Sequence, residues 1–147
     1  MTTVNTYLYF NGTCEAAFNF YKFIFNSDFQ FIGRYKDVPE STRQHFPNCT
    51  AEHIMHIVLP ISKETFLMGA DIIDINVNVN KSELTNNFSL YLSTDSKKEA
   101  DRLFNSLSEG GKIKLPISEQ FWGSYYGICL DRFGVNWKIS YSEDTSG

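Results

Sequence analysis

One order of elements occurs twice along this chain: a strand, an amphipathic helix, then three strands. A unit of that kind covers one face of its sheet with the helix and leaves the other bare, so the repeat points to an α+β fold of two βαβββ modules. Set side by side, their curved mixed sheets can close around a small ligand. In the first half, Thr3 to Phe10 alternates, with Val4, Thr6, Leu8 and Phe10 on one face and Tyr7 and Tyr9 on the other. Thr13 is placed to cap a helix whose apolar stripe is Cys14, Ala17, Phe18, Tyr21, Ile24 and Phe25, ending near Asn26. A strand around Phe29 to Tyr35 follows, then a polar loop from Lys36 to Thr50 with Pro39 and Pro47. A hairpin of His53 to Ile61 and Thr65 to Asp71 closes the half. In the second half Phe88, Leu90 and Leu92 alternate with Ser89, Tyr91 and Ser93. Ser96 to Glu99 forms a capping box for a helix with Ala100, Leu103, Phe104 and Leu107 inward, stopped at Gly110-Gly111. Lys112 to Leu115, Ser124 to Leu130 and Asn136 to Tyr141 are the three closing strands. The Asn-rich stretch Ile72 to Asn87, with weak strand character at Ile75, Val77 and Val79, joins the halves. The expected organisation is a single domain, 1–147, of modules at about 1–75 and 86–147 linked by 76–85.

At 147 residues, 42% of them hydrophobic, the chain can bury a substantial core, which rules out disorder. No apolar run approaches the roughly 18 residues of a membrane-spanning helix, and the first residues lack the pattern of a secretory signal, so a cytoplasmic protein without a membrane partner is expected. Seventeen acids against thirteen basic residues give a net charge of -4, which disfavours a phosphate backbone and hence nucleic acid as a partner. Cys14, Cys49 and Cys129 are odd in number and widely spaced, which suits reduced thiols better than disulfides or a zinc pair.

Several segments together carry a family resemblance. They are Tyr7-Leu8-Tyr9-Phe10-Asn11-Gly12 with Glu15-Ala16 and Phe20-Tyr21, His56 in the third strand, and Leu67-Met68-Gly69-Ala70-Asp71. Phe121-Trp122-Gly123 with Tyr126-Gly127 and the run Asp131 to Trp137 complete the set. Over nearly its whole length the sequence resembles the PhnB-like branch of the vicinal oxygen chelate superfamily, which includes glyoxalase I, bleomycin-resistance proteins and extradiol dioxygenases. The resemblance implies paired βαβββ modules, a homodimer and a pocket inside each curved sheet. The branch often carries the description 3-demethylubiquinone-9 3-methyltransferase. A Rossmann-like methyltransferase, however, needs a glycine-rich turn after an early strand, and Gly110-Gly111 follows a helix instead.

Enzymes of the superfamily hold a divalent ion with ligands from the first and last strands of each module. Here the strands Thr3 to Phe10, Phe88 to Thr94 and Asn136 to Tyr141 contain no His, Asp, Glu or Cys. Lys138 stands about where the resemblance would place a ligating glutamate, and an ammonium cannot coordinate a cation. No metal and no other cofactor is therefore expected. His53 and His56, three apart, should point to opposite faces of a strand, and His45 lies in the polar loop.

The candidate ligand-binding residues are His56, Met68, Asp71, Phe121, Trp122, Tyr125, Tyr126 and Lys138. The four aromatics between 121 and 126 can stack on a flat ligand, or pack a core or dimer contact. Met68 is an adaptable liner or simply core. Asp71 can orient a polar group or cap a turn. Lys138 can recognise an anion or act as a base, or point into solvent, and His56 can be a satisfied pocket residue, a base or a ligand. No catalytic residue is assigned. The leading expectation is a metal-independent homodimer that binds a small, partly aromatic or hydrophobic molecule. The alternative is a divalent-metal-dependent glyoxalase-like lyase or isomerase using His56 with Glu64 or Asp71. A dimerisation module with a vestigial cavity is the third reading.

Overall fold

Each half of the chain builds the same four-stranded sheet. The computed structural model describes residues 2–73 and 87–143, and the chain divides into two compact units, Met1–Val79 and Asn80–Gly147. The linker at 76–85, and the strand character at Ile75, Val77 and Val79, lie outside the described residues.

In the first unit β1 (Thr6–Phe10), α1 (Cys14–Phe25), β2 (Phe31–Arg34), β3 (Ile54–Pro60) and β4 (Phe66–Asp71) follow in order, with a short helix α2 (Glu40–Arg43) between β2 and β3. The sheet order is β1-β4-β3-β2, with β1 and β4 parallel and the other neighbours antiparallel. The second unit repeats this with β5 (Leu90–Ser93), α3 (Lys97–Ser108), β6 (Lys112–Glu119), β7 (Tyr125–Leu130) and β8 (Asn136–Tyr141), in the order β5-β8-β7-β6. The first and last strands of each unit are again the parallel pair, because the helix between the first two strands carries the chain across the sheet. The α+β duplication expected from the sequence is thus present.

Each core lies between a sheet and its helix. The α1 stripe Cys14, Ala17, Phe18, Tyr21 and Ile24 is buried, and Phe18 meets Phe10 and Tyr21 edge-on at centroid distances of 6.2 and 5.7 Å. Below the helix, Gly69 lets β4 approach, since a Cβ there would stand 2.7 Å from the Phe18 ring. Leu8, Gly69 and Ile57 are cross-strand partners, and this row marks the helix-covered face of the sheet. In the second unit Ala100, Leu103, Phe104 and Leu107 are inward, and Gly127, opposite Ile139, gives the same close approach beneath Phe104. Each buried aliphatic or aromatic side chain contributes about 1.5–3 kcal/mol.

The helix ends were only half legible. Ser96 caps α3 as expected, its hydroxyl accepting from the Glu99 N–H at 3.0 Å. Thr13 makes no side-chain cap; the Cys14 N–H at the start of α1 donates instead to Asp71 Oδ1 at 2.9 Å, a cap supplied from β4. Asn26 ends α1 in the left-handed conformation at φ 50°, which its short polar side chain tolerates. The stretch Lys36 to Thr50, expected to be a loop, overlaps a 3-10 turn at Tyr35–Asp37 and contains α2. It is fastened by the buried Tyr35, whose hydroxyl donates to the Asp71 carbonyl at 2.8 Å and whose ring packs on Phe46. β6 runs on through Pro116 to Glu119. Register shifts between Ile113 and Ser118 accommodate the proline, which lacks an N–H for the ladder.

The cysteines are unpaired. Cys14 and Cys129 are fully buried; burial pushes the Cys14 thiol far above its ordinary value and the Cys129 thiol up to about 12, with Asp71 and Asp131 adding to the respective shifts. Cys49 is half-buried, its thiol donating to the Asp71 carbonyl at 3.6 Å. Titration with a disulfide reagent at neutral pH should label Cys49 first. Cys14 and Cys129 should react only on unfolding; labelling of all three at one fast rate would contradict the buried placement.

Candidate functional site

The face of each sheet turned away from its helix carries the chemistry. In the first unit Tyr7, Met68, Val58 and Phe31 form one row across all four strands, and His56 stands in the neighbouring row opposite Gly33. The Tyr7 hydroxyl lies 2.9 Å from His56 Nδ1, the two rings stack at 5.6 Å, and Phe31 and Tyr9 extend the cluster at 5.7 Å from His56 and 5.2 Å from Tyr7. Burial first, then the nearby Tyr9 and Cys14, raises the Tyr7 phenol above its ordinary value and keeps it neutral. His56 and Met68, singled out from the sequence, are therefore together on one open face. Tyr7, Tyr9 and Phe31 join them, although the sequence reading did not nominate them as site residues.

In the second unit the helix-covered rows are Cys129 with Trp137, Gly127 with Ile139, and Tyr125 with Tyr141. The intervening residues must face the other way. They are Tyr126 opposite Ser140, Ile128 opposite Lys138, and Tyr91 opposite Lys138 from the other side. Trp122, 53% exposed in the β6–β7 connection, packs edge-on to Tyr126 at 5.5 Å. The Tyr91 and Ser140 hydroxyls are 2.8 Å apart, and Lys114 Nζ donates to Asn136 Oδ1 at 3.0 Å. Trp122, Tyr126 and Lys138 are thus gathered on one face, with Tyr91 and Ser140 as neighbours.

The other three candidates stand elsewhere. Phe121 is 97% exposed beyond Trp122. Tyr125 turns to the helix side and donates to Asp101 Oδ1 of α3 at 2.5 Å, a hydrogen bond that raises its phenol pKa. Lys97 lies 5.4 Å above the Tyr125 ring and pairs with Glu119; with Gly123, Tyr141 and Glu143 they line a polar surface cleft of about 410 Å³. The aromatic run 121–126 is accordingly split between two faces and a loop tip. Asp71 is fully buried on the helix side, with Oδ1 taken by the Cys14 N–H and Oδ2 by the Ile54 N–H, both at 2.9 Å. Its oxygens serve the backbone.

The donor set does not fit the divalent centre of the superfamily. Tyrosines occupy the open face of β1 and Lys138 that of β8. His53 lies before β3 and accepts from the Thr50 N–H at 2.8 Å. Among the described residues no group of three or more His, Cys, Asp or Glu is disposed to hold a metal ion. No described helix is long and apolar enough to cross a membrane.

The sequence model of the family described as 3-demethylubiquinone-9 3-methyltransferase matches residues 2–140. The solved structure of protein PA1353 from Pseudomonas aeruginosa is 33% identical, covers 98% of this chain and 100% of its own, and superposes with a TM-score of 0.78. A PhnB protein from Bacillus cereus, 24% identical over 96% of this chain and 100% of its own, has the same fold at a TM-score of 0.75. So does a glyoxalase/bleomycin resistance protein/dioxygenase family enzyme from Burkholderia phytofirmans PsJN, 15% identical over 94% of this chain and 98% of its own, at 0.58. By its matched sequence the chain belongs to the family described as 3-demethylubiquinone-9 3-methyltransferase, and its duplicated sheet is the fold shared with the PhnB protein and the glyoxalase/bleomycin resistance/dioxygenase family enzyme.

Proposed function

We propose that this protein binds a small, partly aromatic or hydrophobic molecule on the open sheet faces of its modules, as a homodimer, without a divalent metal. The observation that carries the reading is the row of aromatic side chains on each open face: Tyr7, Tyr9, Phe31 and His56 in one unit, and Tyr91, Tyr126 and Trp122 in the other. Such rings are large, rigid and tipped with polar atoms, which suits a flat ligand whose orientation must be fixed. The family description names a methyl transfer. Sheets in which only the outer pair is parallel, with no glycine-rich turn after β1, offer nothing resembling the nucleotide-type cofactor cradle of a Rossmann methyltransferase, so binding is the reading we adopt. Dimerisation is supported by the resemblance to PhnB-like proteins, and a cytoplasmic setting by the three unpaired cysteines.

Calorimetry of the chelator-treated full chain against a panel of aromatic metabolites and antibiotics tests this. At least one compound should bind saturably, with an affinity unchanged by added zinc, nickel or manganese. Trp122→Ala should weaken it by about 2 kcal/mol, roughly thirtyfold, as expected when a large aromatic contact is truncated. Absence of any binder, indifference to Trp122→Ala, or binding only with metal would each overturn the reading.

A further inference from the structure

We propose that the open face of the second unit selects ligands that carry a single negative charge beside a planar aromatic ring, and that Lys138 is the residue that reads the charge. This rests on the reading above and narrows it to a chemical class. Lys138 sits in the middle of the face, half-buried, with Tyr91 opposite on β5 and Ile128 opposite on β7. Arg34 pairs with Glu15, Lys36 with Glu52, Lys97 with Glu119 and Lys114 with Asn136, while Lys112 stands exposed to water at the start of β6. Lys138 has neither an ion pair nor a hydrogen bond among the described residues. A cation held half out of water without a counter-charge is costly, and an anion brought by a ligand relieves that cost.

The surroundings match one occupant. β5, β7 and β8 contain no Asp or Glu. The acid of β6, Glu119, stands opposite Tyr125 on the helix side, where it pairs with Lys97. The open face therefore carries positive charge from Lys138 and, two residues along β8, from Lys114 through Asn136, with the exposed Lys112 opposite Leu130 at its end. Tyr91 and Tyr126 lie on the strands flanking β8, in neighbouring rows, and Tyr91 leans across β8 to reach Ser140 opposite Tyr126, so the two rings offer stacking surface beside Lys138. Trp122 closes the Tyr126 side. The Tyr91 and Ser140 hydroxyls bond each other, and Lys138 is the charged donor beside them. The shared chemistry is a ring plus a monoanionic group, such as a carboxylate or sulfonate, close enough to the ring for both to be engaged at once.

A matched pair of fluorescent probes tests this on the intact protein: 8-anilinonaphthalene-1-sulfonate and its uncharged counterpart N-phenyl-1-naphthylamine, which share the aromatic frame and differ in the anion. The sulfonate should bind about tenfold more tightly, the scale of one charge-assisted contact. Lys138→Met, which keeps the aliphatic stem, should abolish the preference and leave the neutral probe within about twofold; Lys138→Arg should retain it. Trp122→Ala should weaken both probes. If both probes bind equally, or Lys138→Met leaves the preference intact, the charge assignment falls while the aromatic reading stands. If neither probe saturates, or Trp122→Ala changes nothing, both fall together. Should Lys138→Met not fold, the wild-type protein decides: the preference must shrink between about 50 and 500 mM salt, and one that does not overturns the assignment.

Discussion

Asp131→Ala should destabilise the protein by about 3–5 kcal/mol and lower its melting temperature by roughly 10 °C. Asp131 is 2% exposed just after the end of β7. Its Oδ1 accepts from the Phe133 and Val135 N–H groups at 2.8 and 3.1 Å, and its Oδ2 from the buried Trp137 indole at 2.8 Å. One carboxylate thereby shapes the β7–β8 turn and fixes the largest side chain of the core beneath α3. Alanine leaves three donors short of an acceptor in a site that excludes water, and each costs about 1–3 kcal/mol. Asparagine at this position would keep the two backbone contacts through its carbonyl but set its amide against the indole N–H, so Asp131→Asn should cost about half as much. Chemical denaturation with tryptophan fluorescence reads both. A loss under about 1 kcal/mol for alanine would show that the turn holds without the carboxylate. The consequence for function is direct, because β8 carries Lys138 and the register of Trp137 sets which face Lys138 occupies.

The parts of this molecule that were readable in advance are those decided by neighbours a few residues away. The period of two in β1 and β8 and the three-and-four spacing of α1 and α3 are local, and β8 spans Asn136–Tyr141 as its alternation suggests. The cap on α1 was not readable: it comes from Asp71, 57 positions further along. A plausible local candidate, Thr13, concealed the need for it. The aromatic run 121–126 misled for another reason. Closeness in sequence suggested one cluster, while the parity of a strand puts Tyr125 under α3 and Tyr126 on the open face. That same parity could have nominated Tyr7, Tyr9 and Tyr91, since each alternates with residues that pack against a helix. The isolation of Lys138 lay out of reach, because it depends on which residues three strands bring opposite one another.

Asp71→Ala and Asp71→Asn should both be severely destabilising, by about 3–5 kcal/mol, and should leave ligand affinity in the folded protein unchanged. Asp71 stood among the binding candidates, and the geometry gives it another task. Its two oxygens accept from the first N–H of α1 and from the N–H of Ile54 at the start of β3, so one buried side chain ties together the helix and two strands. Asparagine is no rescue, because it offers an acceptor to only one of the two N–H groups and turns a donor on the other. Its backbone carbonyl, which receives the Tyr35 hydroxyl and the Cys49 thiol, survives either substitution, so the 35–50 segment should keep its anchor. Two measurements separate anchoring from binding: the denaturation midpoint, and the affinity for the neutral aromatic probe at a temperature where the variant is still folded. A large fall in the first with less than about a twofold change in the second is the expected pair. A stable Asp71→Asn protein that no longer binds the probe would instead return this carboxylate to the ligand site and move that site to the helix-covered side of the first sheet.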